Sequence, residues 1–208
     1  MRGAVVICAL ALLAVLGAGC GDGESQAANA PGKLTAGRFS GTAALPRKPA
    51  PPLKLENSLG REVSIDRYRG KAVLVTFIYT HCLDVCPVIA GNLRAAQSDL
   101  GAKAEDLQII AVSTDPKGDT RDAVNAFLGQ HEMLGRMEYL LGSRRELEKV
   151  WSDWSVVSKA SPSKNDPDFV EHSAVIYGIS ASGKVTTLYP AQFKPAQIVH
   201  DVPILASE

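Results

Sequence analysis

The chain has 208 residues, 46% hydrophobic and 21% charged, which fits one globular domain with accessory segments and an apolar core that needs no disulfide to hold it. Lys plus Arg and Asp plus Glu both number 22, so the formal net charge is zero, and no block of like charge stands out. That pattern excludes the electrostatic footprint of nucleic-acid binding, and equally of an extended contact with an anionic membrane surface.

The N-terminus reads as an export signal rather than as part of the fold. Arg2 supplies a positive start, Ala4 to Ala18 is apolar or small throughout, and Gly19-Cys20 follows. The run is short of the roughly 20 residues a spanning helix needs and has the length of a signal h-region. A small residue directly before Cys20 marks residues 1–19 as a lipoprotein-type signal, with Cys20 as the lipidated first residue of the mature chain. Gly17 stands where leucine is usual in such signals, and the alternative is a plain secretory signal with Cys20 incidental. Either way the domain works outside the cytoplasm, where disulfides persist. A lipid on Cys20 would hold it at the outer face of the cytoplasmic membrane. Residues 20–52, rich in Gly, Ala, Ser and Pro, are predicted to be a flexible tether with a mean reach of roughly 30 Å.

The folded domain is predicted over 53–208. Val63-Ser64-Ile65 alternates like a half-buried strand. Ala72 to Tyr79 (AVLVTFIY) is nearly continuously apolar and β-branched, as a central strand covered on both faces would be. Pro87 to Leu100 has helical spacing and stops at Gly101. Leu107 to Val112 is a second buried strand. Asp119 to His131 is a helix with Val124, Phe127 and Leu128 on one face. Met137 to Leu141 is a short strand. Ser143 and Glu146 form a capping box that opens a helix running to about Trp151. Ser158 to Asp168 reads as a loop. His172 to Ile179 and Lys184 to Tyr189 are strands joined by a hairpin turn at Ser180 to Gly183, and Pro195 to His200 begins a last short helix. This order predicts an α/β three-layer sandwich with a mixed sheet: parallel strands first, an antiparallel hairpin last. Sites in such sheets form beyond the carboxyl ends of the parallel strands. The segment Tyr79 to Pro87 lies at one.

Of four cysteines, Cys8 leaves with the signal and Cys20 is the lipid site, so Cys82 and Cys86 are the thiols of the domain. Pro87 is favoured at a first helical position, which puts Cys86 at or next to the N-cap, where free N–H groups and the helix dipole are expected to lower its pKa. Cys82 lies four residues back on the turn. An early helix start would bring both sulfurs to one side. Two such thiolates can exchange disulfides or chelate a soft metal. A merely structural disulfide is the bland alternative, and so small a loop would contribute only roughly 2 kcal/mol.

The segment VTFIYTHCLDVCP resembles the Sco/SenC family of copper-binding, thioredoxin-fold assembly factors for cytochrome c oxidase. VSTDPKGDT, with Asp115-Pro116 and Asp119-Thr120, is similar to the family's segment after the second core strand. DFVEHSAVIYGISASGKV is similar to its late histidine-and-hairpin segment. The resemblance implies a thioredoxin-like fold and a copper ion, Cu(I) or Cu(II), held by Cys82, Cys86 and His172. Taken alone, His172 would more often be a satisfied polar residue at a strand start. The donor set agrees with copper, because Cu(I) favours soft thiolates with an imidazole at low coordination number. Zinc would want a fourth ligand, and none is obvious. Leu83 departs from the family's usual proline, and Ser180-Ala181-Ser182 lacks its usual acidic residue.

Among the other candidates, His81 is expected to point away from Cys82, and His131 and His200 to face solvent. Asp84 would order the loop or repel an anion. Asp115 reads as a turn residue in preference to a rim residue of the site, and Trp151 and Trp154 as core in preference to an exposed docking patch.

The resemblance implies a metallochaperone that passes copper to the dinuclear centre of the oxidase's copper-binding subunit, without substrate turnover. Another copper chaperone or a thiol reductase would be a further partner. The second reading is a thiol-disulfide oxidoreductase in which Cys82 and Cys86 act on oxidase or other client cysteines. CxxxC in place of the more usual CxxC, and a histidine with no following proline, favour copper.

Overall fold

The computed structural model describes residues 37–162 and 169–208. The signal, Cys8, Cys20, the tether up to residue 36 and residues 163–168 of the expected loop lie outside them. No helix among the described residues is long and apolar enough to cross a membrane.

Three parallel strands form the spine: β4 (Ala72–Ile78), β5 (Leu107–Ser113) and β6 (Met137–Leu141). All seven residues of β4 are buried, so this strand is apolar on both faces and reads from sequence as a continuous run. Numbering the remaining strands in chain order, β1 is Thr42–Ala43, β2 Lys54–Asn57 and β3 Glu62–Ser64. A separate antiparallel pair is β7 (Ser158–Ala160) with β8 (Val170–His172), and β9 (Val175–Ile179) with β10 (Val185–Pro190) is the expected C-terminal hairpin. The eight-stranded sheet runs β1-β10-β9-β4-β5-β6-β2-β3.

Alternation along the central strands builds two cores. Leu74, Ile78, Ile109 and Ala111 face α1 (Val85–Asp99), α2 (Arg121–Gln130) and α4 (Pro195–Ala206). Val73, Val75, Phe77, Ile110 and Val112 face α3 (Arg144–Asp153). The Ser143–Glu146 capping box is formed as expected. Trp151 and Trp154 are core, with indole N–H groups donating to the carbonyls of Ser113 (3.0 Å) and Pro52 (3.4 Å). The three-layer α/β fold read from the sequence is the fold observed.

Several boundaries differ. Residues 37–52 are not the end of a tether but a strap packed on the sheet. β1 pairs with β10, and Phe39 is buried. The amides of Ser40 and Gly41 donate to the Asp201 carboxylate at 2.7 and 2.8 Å. Its composition resembles a linker because short edge strands need no apolar run. β2 is a further strand not anticipated. Residues 158–160 are strand rather than loop, and the strand expected over His172 to Ile179 breaks at Ser173 and Ala174 into β8 and β9. α1 begins at Val85, two residues before the expected Pro87, and α4 continues past His200 to Ala206. His131 is half-buried, packed on Phe127 with ring centroids 4.5 Å apart, whereas His200 is exposed as expected, with Nδ1 2.7 Å from the Asp201 carboxylate.

The strap gives the first prediction. A Cβ on Gly41 would overlap Cε1 of Tyr189, a buried ring whose hydroxyl is tied to Asp201 at 2.8 Å and so cannot yield easily. Gly41→Ala should destabilise the fold by about 1–3 kcal/mol in urea unfolding, and an unchanged midpoint would show that the strap does not pack there.

Candidate metal centre

Three segments meet beyond the carboxyl ends of β4 and β5. The chain leaves β4 through Tyr79, turns back with Cys82 N–H donating to the Tyr79 carbonyl at 3.4 Å, and enters α1 at Val85. Asp84 is the N-cap residue but its side chain makes no capping bond. A sulfur serves instead: the Cys86 amide donates to Cys82 Sγ at 3.4 Å. The β7–β8 hairpin brings His172 over the pair, with Nε2 3.8 Å from Cys86 Sγ. Cys82, Cys86 and His172 present one donor atom each, all within 4.8 Å of one another, with both thiols buried and the imidazole half-buried. Both thiols are unlinked.

The spacing suits one ion. Metal–sulfur and metal–nitrogen bonds of about 2.3 and 2.0 Å would set trigonal donors roughly 3.8 Å apart. The donors are two soft sulfurs and one imidazole, the set that favours a soft ion over a hard one. A shallow cleft opens beside them, with Leu83, Phe169, Asp84 and Glu171 on its walls. Leu83 is 87% exposed and Phe169 40%, so the mouth is apolar.

The charge on the thiol pair is divided differently from the sequence expectation. The Cys82 thiol is held below its usual pKa, first because the Cys86 thiol donates to it, and further by hydrogen bonds from His172 and from the Cys86 and Asp84 amides. The Cys86 thiol is pushed up by that same bond and by its burial. The helix N-terminus does stabilise a thiolate, but on Cys82, because the first-turn amide of Cys86 points at Cys82 Sγ rather than at its own side chain.

The remaining candidates divide as follows. His81 is exposed, 3.2 Å from Thr80 Oγ1, and outside the three-donor group, as expected. Asp115 is a turn residue whose Oδ1 accepts from the Lys117 amide at 3.2 Å. Asp119, which sequence reasoning treated only as part of a motif, is the buried support of the site. It accepts from the Thr80 amide (2.8 Å), Thr80 Oγ1 (2.8 Å), Ser113 Oγ (2.6 Å) and Tyr139 Oη (2.9 Å). It therefore ties the turn before Cys82 to the end of β5 and to Tyr139 of β6. A clue was present in its position in the sequence, directly before the Thr120 N-cap of α2.

The fold and site define the class: a thioredoxin-like protein carrying two sulfurs and an imidazole at the strand-to-helix turn. The family model described as SCO1/SenC matches residues 43–207, and the chain belongs to that family. A Bacillus subtilis SCO1 protein homolog is 28% identical over 142 residues, covering 66% of this chain and 72% of that one. The chain spans about half the length of the mitochondrial relatives it matches, at 50% and 51%. The structure of Bradyrhizobium japonicum ScoI with copper bound superposes with a TM-score of 0.65 at 28% identity, covering 76% of this chain and 99% of that one. BsSco, described as carrying a disulfide switch and as a member of the Sco family of cytochrome c oxidase assembly proteins, gives 0.62 at 25% identity, over 77% and 95%.

Asp119 generates the second prediction. Burial raises its pKa against the opposing hydrogen bonds. Asp119→Ala would strand several buried donors and should cost about 2–4 kcal/mol in urea unfolding. A folded-state pKa above the unfolded value means stability present at low pH and lost as pH rises through the folded value. The stability of the wild type relative to Asp119→Asn should therefore fall as pH climbs above about 4. A pH-independent difference would refute the burial argument.

Proposed function

We propose that this protein is an exported copper carrier that binds one copper ion through Cys82, Cys86 and His172 and hands it to the dinuclear copper centre of cytochrome c oxidase. The observation that carries the reading is the grouping of two buried sulfurs and one imidazole within 4.8 Å in an SCO1/SenC chain. The copper-bound relative and the oxidase-assembly role of the family support it. Delivery by ligand exchange suits this geometry. The donors sit under an open mouth, so an incoming thiol replaces one at a time while the ion stays coordinated. Copper is cargo in this account and no substrate turns over. The lipoprotein-type signal supports anchoring through Cys20 at the outer face of the cytoplasmic membrane, where the oxidase's copper-binding subunit would be within the tether's reach.

One observation favours a second activity on the same sulfurs. The Cys86 thiol donates to a Cys82 sulfur whose pKa is lowered, the arrangement of an attacking and a resolving thiol. Cys82 thiolate would attack a client disulfide and release one client thiolate, which takes a proton from water. Cys86 would then attack the Cys82 sulfur of the mixed disulfide and displace the second client thiolate, which takes up the Cys86 proton, leaving a Cys82–Cys86 disulfide and a client reduced by two electrons. The disulfide form cannot chelate copper through both sulfurs, so redox poise chooses between the activities.

Competition with a Cu(I) chelator tests the main reading. The reduced wild type should bind one equivalent, and His172→Ala should bind at least tenfold more weakly while still forming the Cys82–Cys86 disulfide. Weak binding indifferent to His172 would leave thiol exchange as the function.

A further inference from the structure

Tyr79 meets the arm that carries the imidazole without being one of the donors. It is the last residue before the turn, 1% exposed, and its ring stands edge-on to His172 with centroids 5.6 Å apart and planes at 87°. Its hydroxyl accepts the Val170 amide at 3.4 Å. One side chain, rooted just past the rigid end of β4, thus meets β8 at both Val170 and His172. The pair β7–β8 is a sheet of its own. Ser158 ties β7 to the Thr114 carbonyl just past the end of β5, whereas β8, which carries the imidazole, is met by Tyr79 from the segment that leads into the thiol turn.

We propose that Tyr79 is the positioning residue of the centre: its ring sets His172 over the sulfurs. The inference rests on the copper reading. The ring meets the imidazole edge-on while the hydroxyl takes the Val170 amide two residues earlier on the same strand, so one side chain fixes both the position of β8 and the tilt of the imidazole at its end. Aromatic rings favour this perpendicular arrangement over a face-to-face one.

The test uses the full chain, with Tyr79→Phe, Tyr79→Leu and His172→Ala alone and combined. Tyr79→Phe keeps the ring, should fold, and should bind Cu(I) within about threefold of the wild type. Tyr79→Leu removes the ring. It should lower Cu(I) affinity by about a hundredfold, and most of that loss should vanish in the His172→Ala background, as a double-mutant cycle reads when the ring works through the imidazole. A copper loss in Tyr79→Leu equal in both backgrounds, or a Tyr79→Phe that binds as weakly as Tyr79→Leu, overturns the ring's role while leaving the copper reading intact. A wild type that takes up no copper defeats the copper reading and the ring's role with it.

Discussion

Two sulfurs four residues apart come within reach of one ion only if the chain turns or coils between them, since an extended chain would hold them too far apart, and that bend governs the rest of the site. β4 must end, turn and start a helix within residues 79–85. The turn leaves the first-turn amides of α1 in need of acceptors, as every helix start does. The Asp84 side chain takes none of them, and Cys82 Sγ takes the Cys86 amide. The sulfur therefore caps the helix and offers itself as a donor at once. That double duty places the negative charge on Cys82 and leaves the proton on Cys86, deeper in the core.

The bend is held from below by a carboxylate. Asp119 comes from the loop after β5, yet it accepts both the amide and the hydroxyl of Thr80 at the end of β4. Burying a charge is expensive unless its lone pairs are filled, and here two hydroxyls of the sheet ends join Thr80 in filling them. The arrangement couples the strand ends to one another, so the sulfurs inherit the rigidity of the parallel sheet rather than that of a surface loop.

What could be read from the sequence was whatever neighbouring residues decide. AVLVTFIY reads as a central strand because burial on both faces removes alternation. Ser143 and Glu146 read as a helix start because a capping box closes within one turn. Cys82, Cys86 and Pro87 read as a thiol site because spacing and proline bias are local. Illegible were the features made by partners far along the chain. β1 is two residues long and exists because β10 lies beside it. Residues 158–160 look like loop because their pairing is with Val170 to His172, across a polar stretch. The strap depends on Asp201, some 160 residues away. The direction of the thiol charge was missed for the same reason at smaller scale: it turns on which sulfur the Cys86 amide meets, and helical position alone does not specify that.

The three donors differ in how firmly they are held, and this difference organises the chemistry. Cys86 sits in a helix whose buried face lines the main core, and Cys82 in the turn braced through Thr80. His172 sits on a two-stranded sheet separate from the main one. On the proposed reading, thiol exchange would use only the two firmly held sulfurs, and metal binding would add the imidazole from the looser arm. A carrier would have to release what it binds, and release is easiest at the donor whose support is weakest. Leu83 adds a further asymmetry. At 87% exposure it contributes almost nothing to packing where it stands, and its side chain is apolar at the mouth through which an ion or a client thiol must pass. Desolvation by a partner pressed against that mouth would strengthen every electrostatic contact inside it, so the same closure that excludes water would favour transfer between buried sulfurs over loss of the ion to solvent.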